Sequence, residues 1–290
     1  MGTDMSINAE QLMDFAIPEA KQTLTRKDCM LYALGVGVGD DPTSEDQLHF
    51  VYEPKLRAMP SMANVLAHPG FWMKAAETGL DWRQILHGEQ KFTIHKPLPV
   101  EGTLVGHTRV KAIFDRGEGR GAYVYLERRV TEEDSGDLVC TLGQTTVCRG
   151  DGGCGSIGEV DRTRRAIPVR DPDYVCDLAT LPQAALLYRL NGDYNPLHAD
   201  PEVARSVGFD RPILHGLCTF GVAGHAILKT CCDYDPDRIR STSVRFTAPV
   251  FPGETIRTEM WNVDGGLSFR SRVVERDAVV LGSGWVEFND

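Results

Sequence analysis

The sequence predicts an α+β fold made twice, each half packing an antiparallel sheet onto a helix. Three observations carry that expectation. Two motifs recur in the same order about half a chain apart. "LYALGVGVGDDP" (31–42) resembles "LYRLNGDYNPLH" (187–198), and "KFTIHKPLPVEGTL" (91–104) resembles "RFTAPVFPGETI" (245–256), as an internal duplication requires. Each half also ends in runs rich in Val, Thr and aromatics, with Pro-Gly, Gly-Gly or Ser-Gly turns between them. Between the halves, Cys148–Ala166 is rich in Gly and charge and poor in large apolar residues, which reads as a linker. The expected division is 1–150, a linker over 151–165, and 166–290.

The elements follow in order. In the first half, strands are expected within 102–114, 121–130 and 138–147. "MPSMANVLAHPGFWMKAAE" (59–77) stands where the second half has a long helix, but Pro60, Pro69 and Gly70 disfavour one continuous helix there. A broken helix would leave apolar room lined by Met62, Val65, Leu66, Phe71 and Trp72. The second half opens with a helix in "QAALLYRL" (183–190). Asp200, Pro201 and Glu202 then read as N-cap, first residue and first-turn acid of a short helix ending near Gly208. "HGLCTFGVAGHAILKTCC" (215–232) is apolar on nearly all sides and holds Gly216, Gly221, Ala223, Gly224 and Ala226. It reads as a buried helix that a curved sheet approaches closely. Strands within 241–250, 254–263, 267–276 and 279–288 complete the half. A buried helix wrapped by an antiparallel meander is the outline of a hot-dog fold, here doubled.

The 290 residues carry a net charge of −10 and a pI near 5.3, which argues against general nucleic-acid or anionic-membrane binding. Eight cysteines show no C-x-x-C spacing, so free thiols in a reducing compartment are expected. The first residues, "MGTDMSINAE", are polar and acidic, unlike a signal or transit peptide, and the chain ends in "VEFND" rather than a peroxisomal tripeptide. No apolar run approaches the ~18 residues of a membrane span. A soluble cytoplasmic protein is the expectation.

The chemistry concentrates in "NGDYNPLHADPE" (191–202). As a structural segment, "GDYNP" would make a good turn with no further role. As a functional one, Asp193 and His198 on a kinked loop can hold one water and share its protons. Asn195 offers a donor and an acceptor to orient it. Metal binding by Asp193, His198 and Asp200 is a third reading, with a thin ligand set.

G-D-x-N-P-x-H, followed by "FDRPILHGLCTFG" (209–221), resembles the hydratase 2 motif of the MaoC-like, (R)-specific 2-enoyl-CoA hydratases. "LYALGVGVG", "LHGEQ", "KPLP" and "VRFTAPVFPGET" extend the similarity over nearly the whole chain, toward the two-hot-dog members such as the hydratase unit of peroxisomal multifunctional enzyme type 2. The resemblance implies reversible hydration of trans-2-enoyl-CoA to (R)-3-hydroxyacyl-CoA. Asp193 and His198 would be the catalytic pair, Asn195 would position them, and the Gly216 N–H would be the oxyanion donor. It further points to His87, Gly88, Arg116, Tyr194, Pro196, Leu197, Arg245 and Phe246 as substrate-lining. No metal or other cofactor is implied, the acyl-CoA being substrate, and a homodimer is expected. The first half lacks the Asn and His of the motif, having "GVGVGDDP", so its expected part is to enlarge the acyl pocket. A hot-dog thioesterase and a catalytically silent acyl-CoA-binding protein are the rival readings, since fold alone does not fix chemistry.

Overall fold

A computed structural model describes residues 7–161 and 163–289. The expectations on the extreme amino terminus and on Asp290 fall outside the described residues. The first half runs α1 (Ala9–Met13), β1 (Ala20–Leu24), α2 (Arg26–Gly35), α3 (Glu45–Val51), β2 (Ile85–Ile94), β3 (Gly102–Asp115), β4 (Ala122–Glu132) and β5 (Leu138–Cys148). The second runs β6 (Tyr174–Ala179), α4 (Ala184–Tyr188), α5 (Pro201–Ser206), α6 (Gly216–Cys231), β7 (Ile239–Phe246), β8 (Thr255–Val263), β9 (Gly266–Val273) and β10 (Ala278–Phe288).

The strands form one antiparallel sheet in the order β1-β3-β4-β5-β2-β7-β10-β9-β8-β6. Outward from the centre the two halves match strand for strand: β2 with β7, β5 with β10, β4 with β9, β3 with β8, β1 with β6. The duplication seen in two short motifs is therefore a duplication of the whole strand order. The half-sheets join where β2 pairs with β7, with Glu89 opposite Arg245 and Phe92 opposite Thr242. That pairing leaves neither central strand as an open edge. Sequence reading missed β1, β2 and β6. Gly88 interrupts β2 at a bulge, while "AKQTL" and "YVCDLA" are short outer strands with weak apolar alternation.

α6 runs through the main core and buries Phe220, Ala223, Ala226, Ile227 and Leu228. Its glycines set how closely the first half approaches. A Cβ at Gly221 would run into Val36, at the end of α2, and into the Tyr32 hydroxyl, and one at Gly224 would press on Ser61. The first half has no equivalent long helix. Pro60–Val65 forms a 3-10 turn, as the prolines lead one to expect.

The five apolar residues expected to share one room do not share it. Met62 and Leu66 are buried in the main core, and Val65 packs against it. Trp72 belongs to a second core with Leu12 and Val124, stacked on Phe15 at 5.5 Å. Phe71 is half exposed, edge-on to Trp82. Between the two groups the chain turns at Gly70, in the left-handed region at φ 72°.

Two predictions follow from α6. Gly221→Val forces a branched side chain against Val36 and Tyr32, so the urea midpoint should fall by an amount equivalent to about 1–3 kcal/mol; an unchanged midpoint would contradict this close approach. His225, fully buried in α6, is within 3.1 Å of the Tyr234 hydroxyl, and burial holds its pKa down to about 4. Its unfolded pKa is near ~6.5. Below that pH the unfolded chain binds a proton that the folded chain refuses, so this stability is complete above ~6.5 and is lost as pH falls toward 4. The urea midpoint should drop between neutral and mildly acidic buffer, and by less in His225→Gln.

Candidate active site

α4 passes into a 3-10 turn, Arg189–Asn191, that ends at Gly192 with φ 110°, a left-handed conformation open to glycine at little cost. Short polar side chains then fold the loop on itself. The Asp193 carboxylate accepts from the Asn195 N–H at 3.2 Å, and the Asn195 carbonyl oxygen accepts from the Leu197 N–H at 3.1 Å. Pro196 opens a 3-10 turn, Pro196–His198. Asp200 caps α5 by accepting from the N–H groups of Glu202 and Val203. These turns leave Asp193, Tyr194, Asn195 and Pro196 exposed and carry His198 inward, where it is buried.

His198 Nδ1 lies 2.9 Å from the Ile213 carbonyl. A carbonyl can only accept, so Nδ1 carries the hydrogen and Nε2 keeps its lone pair. Burial lowers the His198 pKa, against the opposing effects of the Ile213 carbonyl and Asp193, so the imidazole is neutral near pH 7. His215, also buried, stacks on it with centroids 3.8 Å apart. His215 Nε2 donates to the Asp193 backbone carbonyl at 3.2 Å. Desolvation, and then the His198 charge, lower the His215 pKa as well. One atom each of Asp193, His198 and His215 lie within 4.8 Å of one another. Two hydrogen bonds of ~2.8 Å from a single water span about that separation.

Gly216 is the first residue of α6, whose amino terminus no side chain caps, so its N–H has no intrahelical acceptor. Phe246 covers it: a Cβ at Gly216 would lie 3.2 Å from that ring. Phe246 in turn meets the His87 ring edge at 4.8 Å. His87 comes from the first half, beside a bulge that Gly88 occupies, where a Cβ would lie 2.8 Å from Val147. His87 Nε2 donates to the Gln90 side chain at 2.9 Å. Burial holds its pKa near 4, partly offset by Gln90 and then by the Asp193 charge.

The structure thus gathers Asp193, His198, Gly216, Phe246, His87 and Gly88. Asn195 is nearby, but its oxygen is spent on the turn, so it shapes the loop. Tyr194 is exposed and lies 5.1 Å under the Arg189 guanidinium. Leu197 is half-buried within the turn. Arg245 is exposed and precedes Phe246 on β7, so the two side chains point to opposite faces. Arg116 stays exposed in the β3–β4 hairpin, 5.2 Å over Tyr123. Asp200 is taken up as a helix cap, so the residue that completes a potential ligand set is His215.

His215 and His68 escaped sequence reading. His215 stood in the "LHG" motif, where only the glycine was weighed. His68 has surface open to solvent yet dense surroundings that push its pKa to about 3; Arg128 reinforces that fall, and Asp193 opposes it. Its signal was a His-Pro-Gly turn in the broken-helix segment. A separate surface hollow of about 450 Å³, lined by Arg57, Lys96, Pro97 and Val100 among others, holds none of the gathered residues. Arg57 and Lys96 there are already paired with acids.

Comparisons with known proteins match both halves of the chain. Residues 23–150 match the MFE-2 hydratase 2 N-terminal domain, and residues 156–283 match the MaoC like domain. The chain is 38% identical to "Enoyl-CoA hydratase 2, peroxisomal" of Arabidopsis thaliana, over 98% of this chain and 96% of the relative. It is 40% identical to "3-hydroxyacyl-thioester dehydratase Y" of Mycobacterium tuberculosis, over 91% and 92%. The crystal structure of a MaoC-like dehydratase from Phytophthora capsici superposes with a TM-score of 0.85 at 36% identity, covering 97% of this chain and 98% of that one. With a doubled hot-dog sheet, a histidine-bearing loop beside the start of its buried helix and relatives of this extent, the chain belongs to the MaoC-like hydratase 2 family.

Proposed function

We propose that the protein adds water reversibly to trans-2-enoyl-CoA thioesters, giving (R)-3-hydroxyacyl-CoA, as a hydro-lyase of fatty-acid or related acyl-CoA metabolism. The observation that carries this reading is a neutral His198, its Nδ1 held by the Ile213 carbonyl, with a ring nitrogen within 4.8 Å of an Asp193 carboxylate oxygen, next to the uncapped amino terminus of α6. Water held by the pair attacks C3, and the C2=C3 electron pair moves toward the thioester oxygen. The Gly216 N–H and the positive end of α6 stabilise the charge that develops there. The proton taken from water returns to C2, so one water supplies both groups and the addition is syn. His87 from the first half and Phe246 from the second half wall the thioester, and Gly88 lets it approach. The first half receives the acyl chain, medium and long chains included. Arg116 and Arg245 are assigned to the CoA phosphates on family similarity.

A homodimer is proposed. Among the described residues no helix is long and apolar enough to cross a membrane. A cytoplasmic location is proposed, although four similar relatives are named peroxisomal.

The reaction is proposed to need no metal. The His198 and His215 rings are stacked with an interplanar angle of 29°. Their in-plane lone pairs therefore do not converge on one tetrahedral centre as zinc sites require. Activity should survive exhaustive EDTA treatment; loss on chelation with recovery on zinc would restore the metal reading.

The direct test follows the loss of enoyl-thioester absorbance, coupled to an (R)-specific 3-hydroxyacyl-CoA dehydrogenase. Wild type should feed that enzyme and not an (S)-specific one. Asp193→Asn and His198→Gln should each lower kcat by at least ~100-fold, and the double variant should be little worse. Near wild-type turnover in either single variant would remove the pair from the mechanism.

A further inference from the structure

The inner face of the first half-sheet carries polar groups beside the reaction centre. Paired residues on neighbouring strands share a face. One row runs Thr108, Arg128, Leu142, Phe92, and the next runs Val110, Leu126, Gln144, Gln90. Hydrogen bonds tie this face to the 3-10 turn and to the site. Gln90 accepts from His87 at 2.9 Å and donates to the Asn64 side chain at 3.0 Å. Arg128 Nη2 donates to the Asn64 backbone carbonyl at 2.6 Å. His68 and His87 both lie within electrostatic reach of Arg128 and of Asp193.

Arg128 is the anomaly in this set. Its side chain is only 7% exposed, and its Nε has no hydrogen-bond partner. Its sequence neighbour Glu127 pairs instead with Arg109 and Lys111 on the other face of β4, and among the described residues no carboxylate lies within ion-pair distance of Arg128. The Thr108 hydroxyl across the strand from it is likewise buried and unpartnered. Charged side chains are rarely buried without a counter-charge, because desolvation is then uncompensated. A structural tie to Asn64 needs only a neutral donor, whereas a guanidinium supplies a fixed fork matched to a carboxylate.

We propose that Arg128 is a specificity residue that binds a carboxylate at the far end of the acyl chain, so that the preferred substrates are trans-2-enoyl-CoA thioesters of dicarboxylic acids. This rests on the hydratase reading and on entry of the acyl chain into the first half. The acyl group starts at Asp193 and His198, passes His87 and His68, and ends on the Arg128 Nε–H and the Thr108 hydroxyl. A methyl-ended chain would leave that cation unpaired and stripped of water.

The experiment measures kcat/KM of the full chain for omega-carboxylated trans-2-enoyl-CoA thioesters of increasing length, each beside its methyl-ended counterpart. Wild type should prefer the carboxylated ester at one length at least. Arg128→Leu should lower kcat/KM for that ester ~10- to 100-fold more than for its methyl-ended counterpart, the range of one charge-assisted hydrogen bond. Arg128→Lys, which keeps the charge, should retain part of the preference. Preference for the methyl end at every length overturns the proposal, whether or not the variants fold. An equal loss on both substrates in Arg128→Leu also overturns it, as a purely structural tie to Asn64 would give. Failure to hydrate any enoyl-CoA would instead bring down the hydratase reading itself.

Discussion

The pairing of β2 with β7 is the contact on which the rest depends. It converts two half-sheets into one and brings a side chain from each half to the same place: His87 from β2 and Phe246 from β7, edge to face. Phe246 then lies over Gly216, the first residue of α6. A one-residue slip in this register would put the two rings on opposite faces of the sheet. The Gly88 bulge belongs to the same device, since it sits where the β2–β5 register shifts, between His87 and Glu89.

The loop from Gly192 to Asp200 meets a different constraint. It must hold an acid in solvent and an imidazole in the interior only five residues apart. Asx turns and Pro196 achieve this without strands or long helices. Burial disfavours charge on both stacked rings, and at His215 the His198 charge acts in the same direction. A neutral base is the form in which His198 can accept a proton from water. The His215 bond to the Asp193 backbone carbonyl fixes where the acid begins.

The two halves differ in their helices while keeping one topology. α6 has no long counterpart in the first half, where Pro60 opens a single 3-10 turn. The Asn64 groups of that turn face the sheet and hold Gln90 and Arg128. Loss of the helix therefore brings a polar backbone and side-chain surface near the site, rather than the uniformly apolar room that Met62, Val65, Leu66, Phe71 and Trp72 suggest in sequence.

Much of this was legible in the residues. The duplication, the buried α6, the short capped α5, seven of the strands and the Asp193–His198 loop all rest on local signals: motif order, alternation, caps and turn formers. Gly216 and His87 rest on the family resemblance rather than on local signals. Local signals could not reveal that His215 lies under His198, that Asn195 spends its oxygen on the turn, or that Arg245 points away from Phe246. Nor could they separate Met62 from Trp72 into two cores, or show Arg128 buried without a counter-ion. The sequence by itself determined which segments become helix, strand or kinked loop, because those preferences act over a few neighbouring residues. Only the tertiary structure decided which side chains share a space and which charges go unpaired, because burial and pairing depend on residues dozens of positions apart that meet when the sheet closes around α6.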